Sequence, residues 1–147
     1  MLMEHMAHSL HLHPMLVHFP IALFIGALGF EIVSLIFKKD EFHRTALGLY
    51  ILAAVISPLV VQAGFWEEDA MGGIHHPVFE NHEKFALLTM WTALASLPVL
   101  WFTQKKAPQW LRKVFVFFVF FTALTVFITA YYGGHMVYDY GIGIEEH

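Results

Sequence analysis

The 147-residue sequence is 58% apolar and 14% charged, with a formal net charge of −4 and no cysteine. A soluble domain carries about 25% charged and about 45–50% apolar residues, so a water-soluble globule is excluded; the missing cysteines exclude disulfides, thiolate metal centres and thioether-attached haem. Four spans of about 20 residues would use nearly all the apolar positions and leave no room for a sizeable domain outside a membrane.

Charged residues are missing from the windows 14–37 (apart from Glu31), 45–66, 85–103 and 114–134. They predict an all-α integral membrane four-helix bundle running up-down-up-down as one domain, with spans at about 14–37, 45–66, 82–103 and 109–133. Trp66, Trp101, Trp110, Tyr131 and Tyr132 fall where interfacial aromatic belts form, and Pro108 and Gly133-Gly134 read as the start and stop of the last span. Lys38, Lys39 and Arg44 lie between spans one and two, and Lys105, Lys106, Arg112 and Lys113 between spans three and four. The positive-inside rule puts these two loops in the cytoplasm of a bacterial inner membrane and both termini outside. No basic start precedes the first apolar run, so that span is expected to stay as an anchor. The acidic residues Glu4, Glu67, Glu68, Asp69, Glu80, Glu83, Asp139, Glu145 and Glu146 all fall on the outer side. An anionic outer face excludes nucleic acid as a partner.

Ten of the eleven histidines, all but His43, share that side: His5, His8, His11, His13, His18, His75, His76, His82, His135 and His147. Such density points to neutral imidazole as a ligand. Counting 100° per residue, Ala22, Gly26 and Gly29 share the face of His18, while Ala86, Thr89, Ala93 and Ser96 share that of His82. Small faces permit close approach of helices or a flat ligand, so His18 and His82 are expected to point inward as the preferred axial pair. His13 and His135 lie at the same depth and form a possible second pair. His5, His8, His11 and His147 read as solvated. Six of the seven methionines are also outside, which would suit copper(I). Glu67, Glu68 and Asp69 are candidates to orient a ligating imidazole or accept protons, though a solvated helix end explains at least two of them. Glu31 is expected to pair with Lys38 or Arg44.

The stretch His13-Pro14-Met15-Leu16-Val17-His18-Phe19-Pro20 and the tail Gly133-Gly134-His135-Met136-Val137-Tyr138-Asp139-Tyr140-Gly141 resemble the two signatures of the small bacterial four-span membrane proteins of domain of unknown function 2231, across essentially the whole chain. His82 matches a histidine of that family; Tyr140 stands where the family's tail usually has one, and His135 where the family varies. The resemblance implies the four-span fold, importance for His13, His18 and His82, a layout like that of haem-binding four-helix membrane proteins, and a redox role.

Three functions follow as expectations. The first is a b-type haem protein that transfers electrons at the outer face, on its own or as a subunit, between membrane quinol and an outer redox partner. Its ligands would come from His18, His82, His13 and His135, with Glu67, Glu68, Asp69 and Tyr140 around them. The second is a copper or zinc protein whose ion sits among His13, His18, His75, His76, His82 and His135. The third is an accessory subunit without cofactor, in lipid, as a homo-oligomer or within a larger membrane complex. No nucleophile motif, phosphate loop or zinc-protease helix is present, so no catalysis by this chain alone is expected.

Overall fold

The computed structural model describes residues 12–73, 75–103 and 109–142. A short α1 (Leu12–Leu16) leads into four long helices: α2 (His18–Phe37), α3 (Asp40–Ala70), α4 (Pro77–Thr103) and α5 (Gln109–Tyr138). The hairpins α2–α3 and α4–α5 pack side by side, so that α3 also meets α4 and α2 meets α5. All four long helices are long and apolar enough to cross a membrane. Leu59, Trp91, Phe117 and Phe127 are each more than half exposed, which suits lipid and not water.

Several helices outrun the charge-free windows. Asp40 and Glu41 open α3, where carboxylates favour a helix N-terminus. Pro77 starts α4 as a first-turn proline does, and His76 Nδ1 accepts the Val78 N–H at 3.3 Å. Gly133-Gly134 does not stop α5, which continues to Tyr138; the glycine at 133 serves a neighbouring ring instead. Glycine is needed in the turn after α3, where Gly72 and Gly73 have φ of 80° and 83°, and beyond α5 at Gly141, with φ of 63°.

The core is small and aromatic. Phe24 lies edge-on to Tyr50 at 5.4 Å, and Tyr50 edge-on to Phe115 at 5.6 Å, with Ala27, Ala53, Ala54 and Ala93 fully buried around them. In lipid every polar group has to be satisfied inside the bundle. Accordingly Tyr50 Oη pairs with Thr122 Oγ1 at 2.9 Å and accepts from Ser96 Oγ at 3.3 Å. Proline 58 has no N–H for the Ala54 carbonyl, and Ser57 Oγ donates to that oxygen at 2.9 Å.

The inward face of α2 differs from expectation. Pro20, Phe24, Ala27, Glu31 and Ser34 are its buried residues, whereas His18, Ala22 and Gly29 are exposed. Close approach is supplied by the alanines of α3, so α2 turns its bulky Phe24 inward. The face of α4 is the expected one: Thr89, Ala93 and Ser96 are buried below His82.

Replacing Tyr50 with Phe strands the Thr122 hydroxyl, which bonds to no other group among the described residues. The variant is expected to lose about 1–2 kcal/mol of stability, read as a lower unfolding midpoint in detergent.

Candidate functional site

Because the helices alternate in direction, the start of α1, the end of α3, the start of α4 and the end of α5 meet at one end of the bundle, called here the histidine end. His13 reaches from α1 across to α3, where its Nδ1 donates to the carbonyl oxygen of Val60 at 3.0 Å. His82 reaches from α4 to α5, where its Nδ1 donates to the carbonyl oxygen of Thr129 at 2.9 Å. Since a carbonyl can only accept, each ring carries a proton on Nδ1, and in the neutral ring Nε2 is the nitrogen with the lone pair. Neither Nε2 makes a hydrogen bond among the described residues. The two rings are neighbours, with centroids 6.3 Å apart and planes at 89°.

Each ring lies over a glycine. A Cβ on Gly64 would come within 3.0 Å of His13 Cε1, and one on Gly133 within 3.2 Å of His82 Cε1. In both cases the glycine sits four residues after the accepting carbonyl, one helical turn along the same face. The two arrangements repeat each other: histidine and carbonyl are 47 residues apart in both. His82, Thr129 and Gly133 follow His13, Val60 and Gly64 by 69 positions each.

The same offset superposes the cores. Phe24 and Ala93, Ala27 and Ser96, Tyr50 and Val119, Ala53 and Thr122, and Ala54 and Ala123 are buried in pairs. The two helical hairpins thus repeat each other's buried positions, and His13 and His82, equivalent residues of the two, are neighbours. This repeat escapes the sequence because few paired residues are identical; the paired His and Gly, one helical hairpin apart, were its visible trace.

The other candidates do not join the pair. His18 is exposed, and its Nδ1 donates back to the Pro14 carbonyl at 2.7 Å. His135 pairs with Asp139 one turn on and lies against Tyr131. His75 is exposed, and His76 packs on Tyr140 with ring centres 4.3 Å apart. Glu67 and Glu68 are half-buried in the last turns of α3, and Asp69 is exposed. Among the described residues no three His, Asp or Glu side chains come together as a metal-holding group, so the larger histidine cluster expected for copper or zinc does not assemble there. His5, His8, His11 and His147, with Met1, Met3 and Met6, lie outside the described residues.

Fold and site define a multi-pass membrane bundle of two helical hairpins with a paired-imidazole centre at one end. The chain belongs to the family described as Predicted membrane protein (DUF2231), whose model matches residues 9–146. No curated protein and no solved structure matches it.

The glycine notches separate two neighbouring residues. Gly133→Ala drives a Cβ into His82 and is expected to cost about 1–3 kcal/mol through overpacking. Gly134→Ala, with nothing within 4 Å of the added atom, is expected to be neutral or to stabilise α5 by up to about 1 kcal/mol. Thermal unfolding of the two variants in the same detergent checks the contrast.

Proposed function

We propose that this protein is a membrane b-type haem carrier, or the haem-bearing subunit of a larger complex, in which His13 and His82 would hold the haem iron. The reading rests on one observation: two neighbouring imidazoles that are both held by Nδ1 and both leave Nε2 free. Ligating histidines characteristically donate their other ring N–H to a carbonyl or carboxylate, which fixes the tautomer and the ring's orientation.

The spacing supports the same reading. The ring centres of His13 and His82 are 6.3 Å apart, close enough for both rings to hold one group. A structural zinc site would need four ligands, and among the described residues two imidazoles are assembled. Haem, when bound, supplies a one-electron iron couple. The residues of the chain do the rest: Val60 and Thr129 orient the imidazoles, Gly64 and Gly133 seat them, and the apolar helices exclude water. In this reading the histidine end faces the outside of a bacterial inner membrane, with both termini there, and electrons pass between membrane quinol and an outer redox partner.

The absorption spectrum of protein purified from haem-replete cells tests the reading. A Soret band with a reduced-minus-oxidised α-peak is expected in the wild type, lost in His13→Ala and in His82→Ala and kept in His18→Ala and His135→Ala. A colourless preparation with stoichiometric copper or zinc contradicts it. So does a haem spectrum indifferent to His13 and His82.

A further inference from the structure

The opposite, basic end of the bundle carries a second polar centre. Glu31 is fully buried, at 0% exposure, and its Oε2 accepts a hydrogen bond from His43 Nδ1 at 2.8 Å. Its other oxygen, Oε1, is buried and has no hydrogen-bond partner among the described residues. One turn along α2, Ser34 Oγ accepts from Arg112 Nη2 at 2.7 Å, and Arg112 Nη1 donates to Asp40 Oδ1 at 3.1 Å. Arg112 Nε is also buried and unpartnered among the described residues. A buried carboxylate and a partly exposed guanidinium, each with one buried and unpartnered polar atom among the described residues, therefore lie about one turn of α2 apart at this end.

The internal repeat shows that packing does not require this carboxylate. The position equivalent to Glu31 in the second hairpin is Leu100, 1% exposed. The position equivalent to His43 is Arg112 itself. The two halves agree at the histidine end and through the core, and depart from each other at this corner. Ionisable groups inside a membrane bundle are costly to keep and characteristically mark proton or ion handling. A buried pair that could be replaced by apolar side chains gains little stability from its charge.

We propose that Glu31 and His43 form a proton-binding site that exchanges one proton with the water at the basic end. His43 is the outer member, its side chain 16% exposed against 0% for Glu31. In the unloaded state neutral His43 donates Nδ1–H to the Glu31 carboxylate. In the loaded state one proton from water adds to the lone pair of Nε2, and the imidazolium faces the carboxylate with no other bond made or broken. The neighbouring polar groups at this end are Ser34 on α2, Asp40 on α3 and Arg112 on α5, bonded to one another; α4 carries no charged residue from Phe85 to Thr103. Phe115 lies edge-on to His43 at 5.3 Å and to Tyr50 at 5.6 Å. It thus stands between His43 and Tyr50, whose hydroxyl joins those of Thr122 and Ser96. Nothing in this proposal depends on a cofactor at the histidine end.

Histidine NMR of the full-length protein in lipid nanodiscs tests it, with His43→Gln assigning the signal. The His43 resonance is expected to show one proton-binding step when the pH of the sample is varied from about 4 to about 9. In Glu31→Gln, whose amide oxygen can still accept from Nδ1, the step is expected to move by at least about tenfold in proton affinity. A His43 that holds one charge state over the whole range overturns the proposal in the wild type alone, whatever the variants do. A step that stays in place in Glu31→Gln overturns the role of the carboxylate.

Discussion

The hydrogen bond from an imidazole Nδ1 to a helix carbonyl, made once in each half of the chain, is the constraint on which the histidine end depends. It ties α1 to α3 through His13 and Val60, and α4 to α5 through His82 and Thr129. It also explains the two glycines. A ring can reach a carbonyl that is already part of a helix only by lying close to the backbone of the next turn, and there Gly64 and Gly133 leave the space that a Cβ would fill. The bond fixes tautomer as well as position, so the nitrogen left with a lone pair is the same on both rings.

A bundle in lipid has no hydrophobic drive to hold its helices together, and small residues and interhelical hydrogen bonds take that role. The middle of the molecule follows this rule. Alanines let the helices close on the Phe24, Tyr50 and Phe115 rings, and hydroxyls pair across helices in the same layer. Thr125 and Thr129 return their hydroxyls to carbonyls one turn back on α5, so the polar side chains of that helix stay satisfied up to the carbonyl that receives His82. The two hairpins are alike in their buried positions along this length and differ at the basic end, where Glu31 and His43 stand against Leu100 and Arg112. The likeness belongs to the fold and to the imidazole pair; the difference marks a place where something beyond packing is kept.

The architecture was legible because it rests on composition and run length. Four charge-poor windows and the basic loops between them are enough to define four helices and their alternation. The site was legible in part. His82 and its face of Ala86, Thr89, Ala93 and Ser96 lie where helical periodicity puts them, but the same argument pointed His18 inward, and His18 is exposed. A small-residue stripe identifies a face that can pack closely and does not say that it does; here bulky Phe24 holds the inward face of α2 against Tyr50. His13 was one of several candidates, because α1 breaks before α2 and periodicity cannot be carried across the break. Gly133 read as a helix stop, although its role is set by a ring from another helix. Glu31 was expected to pair with Lys38 or Arg44 and instead accepts from His43, three turns of chain away across the Lys38-Lys39 connection. Partners of this kind depend on which helices meet, and sequence spacing alone does not show it.

The central claim is that His13 and His82 are held at Nδ1 and offer Nε2. Nitrogen NMR of histidine-labelled protein near neutral pH measures this directly, with His13→Gln and His82→Gln assigning the two signals. The account predicts that both rings are protonated on Nδ1, with Nε2 either bare or displaced by a bound metal. Protonation of either ring on Nε2, with Nδ1 bare, would contradict it.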